Sequence, residues 1–557
     1  MRRFNPRFDL RSCSFGLLVF TLSACTPSES QPAAEAPSEE PEAEAAKPEP
    51  EDPKAKPEAK APPASEDPEL AAIAKTLAMP EACGEVRSFE PSEAFVQELL
   101  DEPEHFGIYL GAAKIGWATQ SAKRVEASEG QPAAIRLELE VSVALIQDLP
   151  GEPEMRTELH AIESATFAAS APYGLLRMDN RMKMDSVEET QTVEHVGGFI
   201  VLDTNNDGTS HREVFRPFEY DLGDFVASQL WLAKEGAGLD AGASVTTLDF
   251  DLEDDAKHRL GCQKATLVRN EEVWLDGVKQ RQRTLEVISL VDPGEATSVE
   301  TYDDQGQPIR METQGFEMRS EPEDVAKAAG EGGRISPYSV LTVDKAIGDS
   351  DKLARLEVVI EGASPESFAS TSMQQVHAHE DGVRLIIDVR RPFPPAPSTE
   401  RDRELALEAS ATYPVADPGI VELAAKAIGD AATPSEKVER LVAFVHGYMN
   451  FDHSNGSVLR TLESRSGDCT ETSELFTTLA RAVGVPARTV GGFGYTDDSM
   501  RTFGGHAWNE VLLDGDWISV DATWGQVRAD PSHIQESDRA EMVLEERRVR
   551  VLGLERG

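Results

Sequence analysis

Three side chains in the last ninety residues could together open an amide bond: the thiol of Cys469, the imidazole of His506 and the carboxylate of Asp521. A thiolate attacks carbonyl carbon, an imidazole carries the proton, and a carboxylate holds the imidazole in one tautomer. Singly each is weak, because a lone secreted cysteine is usually structural and a lone strand histidine is usually packed. The elements that must carry them decide the matter.

Cys469 sits in Ser466-Gly467-Asp468-Cys469-Thr470-Glu471, where Asp468 reads as a helix N-cap and Glu471 as its N3 partner. Leu475, Leu479 and Val483 follow at helical spacing, and Gly484 and Pro486 end the pattern. This predicts a cysteine in the first turn. Unpaired backbone N–H groups and the positive end of the helix dipole favour a thiolate there, and can receive an oxyanion. Asp468 and Glu471 oppose that effect, so the thiolate needs an imidazolium partner.

His506-Ala-Trp508-Asn-Glu510-Val-Leu-Leu513 reads as a strand, Asp514-Gly515 as a two-residue turn, and Asp516 to Thr523 as the return strand. With that turn Leu513 faces Asp516 and His506 faces Thr523. Asp521 then lies diagonally on the same side as His506, roughly 7 Å away between backbones. A carboxylate there can hold one imidazole nitrogen and present the other to sulfur. A three-residue loop would reverse the face, so the geometry depends on the turn.

The motifs Gly467-Asp468-Cys469-Thr470-Glu471, Leu479-Ala-Arg481-Ala-Val-Gly484-Val485-Pro486-Ala487-Arg488, Gly505-His506-Ala507-Trp508-Asn509-Glu510 and Trp517-Ile-Ser-Val-Asp521-Ala-Thr523 resemble, in order, those of the transglutaminase-like superfamily. The resemblance covers roughly residues 400 to 530. It implies an α+β, papain-related core with Cys469 as nucleophile, His506 as general acid/base and Asp521 as the orienting carboxylate. It also implies acyl transfer through a thioester on a peptide or protein of the cell envelope, with hydrolysis by a peptidase or amidase favoured over crosslinking. No metal or organic cofactor is implied, and the only oxyanion donor assigned is the Cys469 backbone N–H. A rival is a non-catalytic binding or assembly module that keeps the fold.

The rest of the 557-residue chain bounds this reading. A formal charge of −46 argues against nucleic acid as a partner, since phosphate backbones need a basic surface. Arg2, Arg3, Arg7 and Arg11 precede the apolar run Phe15-Gly-Leu-Leu-Val-Phe-Thr-Leu22, far short of the ~20 residues that span a bilayer. The run ends in Leu22-Ser23-Ala24-Cys25, which resembles the bacterial lipobox and implies cleavage before Cys25 and lipidation of that residue. Thr26 follows, with no aspartate to retain the protein at the inner membrane, so an outer-membrane anchor is expected. Residues 26 to 69 hold 11 of the 34 prolines, and 13 acidic against 4 basic residues, an extended, self-repelling spacer. With Cys13 lost in the signal peptide and Cys25 lipidated, three cysteines remain. Cys83 and Cys262 are assigned to a disulfide, with two buried thiols as the alternative, and Cys469 is left as the thiol.

The expected order is a signal peptide (1–24), a spacer (25–70), a β-rich accessory region (71–330), a β-rich connecting segment (331–397) and the transglutaminase-like catalytic domain (398–557). In the accessory region Ile135, Leu137, Leu139, Val141, Val143 and Leu145 alternate as in a half-buried strand. Val273 to Val278 with Leu285, Val287 and Leu290 reads as an Asp-Gly hairpin, and Tyr302 to Gln307 as a strand and turn. Asp203-Thr-Asn-Asn-Asp207-Gly208 begins like a calcium loop but has Val214 where a bidentate glutamate belongs, so it reads as a hairpin tip. His377 and His379 share a strand face without a third ligand and read as surface residues. Thr433-Pro434-Ser435-Glu436 is a capping box, and Val438, Leu441, Val442, Val445 and Tyr448 form the core face of its helix.

Overall fold

The computed structural model describes residues 67–557, apart from residues 101, 129–131, 148–154, 186, 253–255, 257, 276–277, 293–296, 329–332, 336–340, 391–392, 395–397, 453–455, 497, 500 and 538–546 in whole or in part. The signal peptide, Cys13, Cys25 and most of the spacer lie outside the described residues. The first described element is the helix Pro68–Ile73, which Asp67 caps by accepting from the backbone N–H of Glu69 at 2.9 Å. Leu70, Ala71 and Ala74 pack on Phe199, Val201 and Val214. Among the described residues no helix is long and apolar enough to cross a membrane.

The fold is α+β: a large antiparallel β-rich region precedes a C-terminal part in which helices pack on a second sheet. The first sheet has fifteen strands and is built almost entirely from neighbouring hairpins. Strand Glu104–Leu110 stands at its middle, paired on one side with Ala113–Val125 and on the other with Phe316–Ser320. From there the chain meanders out to Thr209–Phe215 and returns through strands from Ser244–Phe250 inward. The alternation at Ile135 to Leu145 lies in strand Ala134–Gln147 with those residues buried, and Leu275 pairs with Val278 as the hairpin reading requires. One apolar core joins residues from both arms of the sheet, such as Phe167 and Leu202 with Leu267 and Leu285, to Phe225 and Trp231 of the two helices between them. The sheet therefore closes over these helices. Cys83 and Cys262 are disulfide-bonded with Cα atoms 5.7 Å apart, tying the N-terminal segment to strand Leu260–Leu275.

The second sheet has nine strands and takes its members from well separated parts of the chain. Its central ladder sets Arg547–Arg556 against Leu353–Glu361, while Ala487–Tyr495 pairs with Thr502–Leu513. The segment 331–397 serves both sheets. Gly333–Ile335 pairs with the first, whereas Leu341–Val343, Leu353–Glu361, Gln374–His379 and Gly382–Asp388 are strands of the second. Helices Pro418–Ile428, Pro434–Tyr448 and Cys469–Ala482 cover one face of this sheet through Ile420, Leu441, Val445, Leu475, Phe476 and Leu479, packed on Val511 and Val520. The Thr433 capping box forms as read, with the Glu436 carboxylate accepting from the Thr433 N–H at 3.0 Å.

Candidate active site

Cys469 is the first residue of helix Cys469–Ala482, and the local sequence explains why the helix starts there. The Asp468 carboxylate accepts the Thr470 N–H at 2.7 Å, and the Glu471 carboxylate accepts the Asp468 N–H at 3.1 Å. Gly467 is required by this box, because a Cβ there would lie 2.5 Å from the Cβ of Glu471. Burial raises the Asp468 pKa. That lessens the negative charge expected to oppose a thiolate at the next residue.

The return hairpin has the register the two-residue turn dictates. Leu513 pairs with Asp516 and Asn509 with Val520, and the turn residues Asp514 and Gly515 both have positive φ, 53° and 93°. The return strand is shorter than expected, Asp516–Val520. It stops because Asp521 turns back on itself: its N–H donates to the Gln526 carbonyl at 2.8 Å, its C=O accepts the Gln526 N–H at 2.7 Å, and its Oδ1 accepts the Trp524 N–H at 2.9 Å. Oδ2 is left pointing at the neighbouring strand, where His506 Nε2 meets it at 2.7 Å with both side chains almost wholly buried. Strand Thr502–Leu513 in turn lies on the cysteine helix. Ser473 Oγ donates to the Ala507 carbonyl at 3.1 Å, Asn509 Nδ2 donates to the Ser473 carbonyl at 2.8 Å, and Cys469 packs on Ala507. Cys469 and the residue that follows His506 are thus in contact.

Cys469 departs from one expectation. It is disulfide-bonded in this structure, to a partner outside the described residues, and does not stand here as the thiol left over. Chemistry at Cys469 needs that sulfur as a thiol.

Several residues around the pair were not legible in sequence. The Trp524 ring stacks on His506 with centroids 4.3 Å apart and planes within 13°. It fits because position 494 is glycine; a Cβ there would come within 2.5 Å of the indole. A second imidazole, His533 on strand His533–Gln535, places Nε2 3.0 Å from the same Oδ2 of Asp521. Its Nδ1 lies 3.1 Å from the backbone carbonyl of Asp530. Burial lowers the His506 pKa against the pull of Asp521. At Asp521 burial is outweighed by His506 and His533, and the carboxyl is held well below the usual range.

His506, Asp521 and His533 bring one ligand-type atom each within 4.8 Å of one another. Both imidazoles direct Nε2 at a single carboxylate oxygen, so hydrogen bonding accounts for the cluster. The other sequence candidates lie elsewhere. Asp203 is at the exposed end of a cross-strand ion pair with Arg212 at 2.6 Å, and Val214 is buried core, which suits the hairpin-tip reading. Asp207 at that tip meets Arg460 at 2.5 Å, on the short helix Val458–Ser464 that precedes the cysteine helix. His377 and His379 are on an outer strand of the second sheet with exposed surroundings.

Residues 421–522 match the family model described as the transglutaminase-like superfamily. Curated relatives include the kyphoscoliosis peptidases of Mus musculus and Homo sapiens, each 29% identical over 135 residues, covering 21% of this chain and 20% of theirs. The chain therefore spans about a fifth of those relatives' length. Among solved structures, a proposed cysteine protease from Cytophaga hutchinsonii is 16% identical over 36% of this chain and 87% of its own, with a TM-score of 0.25. A β-barrel-like protein from Brucella abortus, of a domain without assigned function, is 13% identical over 39% of this chain and 94% of its own, with a TM-score of 0.27. Over residues 421–522 the C-terminal part of this protein is similar to the transglutaminase-like superfamily, and the matched stretch contains Cys469, His506 and Asp521.

Proposed function

We propose that this protein is an envelope-tethered thiol acyl-transfer enzyme acting on peptide or protein amides, with hydrolysis favoured over crosslinking. The observation that carries the reading is the buried 2.7 Å contact between His506 Nε2 and Asp521 Oδ2, on a hairpin packed against the helix that Cys469 begins. Asp521 fixes the tautomer and takes up part of the charge of the imidazolium. Nδ1 is then the ring atom that exchanges a proton with sulfur.

In the reduced protein His506 takes the Cys469 proton, and the thiolate forms a bond to the amide carbonyl carbon. The oxyanion is received at the start of the helix, where backbone N–H groups point outward. The C–N bond then breaks, the proton on His506 passes to the leaving amine, and a thioester remains. Water adds to the thioester with His506 as base, releasing a carboxylic acid and restoring the thiol. An amine in place of water gives transfer. The peptidase relatives support the hydrolytic outcome, and the leader ending at Cys25 supports the tether to a bacterial membrane, outer more than inner, with the domain on its periplasmic or surface side.

The full burial of Cys469 and its disulfide favour a second reading, a binding or assembly lipoprotein that keeps the fold. Mass spectrometry of envelope proteins exposed to reduced wild type or to Cys469→Ala separates the two. A cut peptide, a one-unit mass gain or an ammonia loss confined to the wild type identifies proteolysis, deamidation or crosslinking. Identical spectra would sink the enzyme reading.

A further inference from the structure

His533 is a second buried histidine on the candidate carboxylate, and the reaction written above does not use it. Its strand pairs with Ala487–Tyr495 so that His533 lies opposite Gly494, the position whose missing side chain admits the Trp524 ring. The hydrogen-bond inventory fixes its state. Nδ1 faces the Asp530 carbonyl at 3.1 Å, and a carbonyl only accepts, so Nδ1 must carry a proton. Nε2 faces Asp521 Oδ2 at 3.0 Å, and an ionised carboxylate only accepts, so Nε2 must carry one too. An imidazole with both nitrogens protonated is a cation.

We infer that His533 is a positioning residue for acyl transfer: a buried imidazolium that pins Asp521 Oδ2 and sets how strongly that carboxylate holds the proton on His506. The inference rests on the enzymatic reading above and deepens it. The charged groups facing His533 are Asp521, Asp530 (whose Oδ1 is 3.5 Å from Nδ1) and His506, whose ring centroid is 5.6 Å away. The remaining neighbours, the rings of Trp508 and Trp524, are uncharged. Two anions against one fixed cation leave Asp521 with part of its charge already matched. His506 then sees a weaker anion than it would in a simple pair, and its proton leaves more readily for the departing amine. Burial, which alone would lower the His533 pKa, is outweighed by the hydrogen bonds and charges of Asp521 and Asp530, and the group is pushed up to about 9, consistent with a cation at neutral pH.

The test uses the full reduced chain with iodoacetamide as the probe. The rate advantage of wild type over His506→Ala is followed against pH, and the pH at which it disappears reports loss of the proton from His506. His533→Gln keeps a donor for Asp521 but removes the charge. The inference expects that midpoint to rise by on the order of one pH unit, because Asp521 then acts on His506 undiluted. An unmoved midpoint in a folded His533→Gln protein would overturn it, while leaving the enzymatic reading intact. No rate advantage of wild type over His506→Ala at any pH would instead overturn that reading. A measurement on the unaltered protein covers the case in which His533→Gln does not fold. Nitrogen-15 spectra at neutral pH should show both ring nitrogens of His533 protonated, and a neutral ring refutes the proposal.

Discussion

Charge is handled differently on the outer face of the first sheet and at the buried hairpin of the second. On the former, opposite charges meet along and across strands in contact with water: Arg177 with Asp179 and Glu194, Arg212 with Asp203, Lys279 with Glu272, all at least a third exposed. Such pairs contribute little, because water competes for both partners. Two shielded acids without a cationic partner at hand are driven toward neutrality, as burial and Asp303 push Glu104 up to about 7 and burial and Asp221 push Asp224 up to about 6, whereas Glu213 beside Arg259 and Lys75 is held down. In the second sheet, four ionisable groups that are almost fully buried stay mutually engaged: His506, Asp521, His533 and Asp530. There the attraction outweighs burial, and Asp530 is held down at about 2. Wet pairs are cheap to keep and to lose, whereas a buried cluster of four mutually engaged groups is costly to assemble and is where a functional role is first sought.

The largest test of that contrast is Asp521→Asn. It preserves shape but leaves the His533 cation without its anion and frees the His506 tautomer. Turnover on whatever peptide substrate is identified should fall on the order of 10⁴-fold, as for the equivalent change in a serine-protease triad. A fall of under tenfold would place Asp521 outside the machinery. Next in size is the accessory staple. Cys83→Ser should lower stability of the first sheet by about 2–5 kcal/mol, read by urea unfolding, with Cys469 alkylation unchanged. Coupled loss of both would mean that the two halves do not behave separately.

The pH dependence of stability comes third. The His533 pKa is raised, so its stabilisation is complete below about 6.5, the value of the unfolded chain, and is lost as pH rises through about 9. Urea midpoints should therefore fall between those limits in wild type and fall less in His533→Gln. Equal slopes would say that the imidazolium contributes nothing. Asp521 and Asp530 act in the other direction: their pKa values are lowered, and their contribution disappears as pH drops below the usual carboxylate range. The smallest effect belongs to the wet pairs. Arg177→Ala should change stability by within about 0.5 kcal/mol in a thermal melt, and a loss several times larger would erase the distinction between the sheets.

Much of the site was legible because it is local. Asp514-Gly515 has the chemistry of a tight turn, which fixes the register and so the face shared by His506 and Asp521. Asp468 and Glu471 form the cap they spell. The short-range alternation of residues 135–145 likewise became a strand. What stayed hidden depends on distant partners. His533 lies on a three-residue strand, too brief for a period, and reaches Asp521 only through the turn at residues 521–526. Its one signal is indirect: Gly492 and Gly494, whose missing side chains admit Ile534, Trp508 and Trp524. The strands of residues 341–388 were read as strands, but their membership in the second sheet rests on pairing with Arg547–Arg556, nearly two hundred residues on. The helices Pro418–Ile428 and Val458–Ser464 were not read at all. Each is short, and each is stabilised mainly by what it packs against.

The proposed chemistry needs cooperation between a sulfur and an imidazole carried by a helix and a strand that pack together in the folded chain. Its most direct test is the rate of Cys469 carboxamidomethylation at pH 7 in reduced wild type and in His506→Ala. The arrangement described here predicts that wild type reacts at least roughly ten times faster, because a positioned imidazolium holds the thiolate. Equal rates in two folded proteins would contradict it.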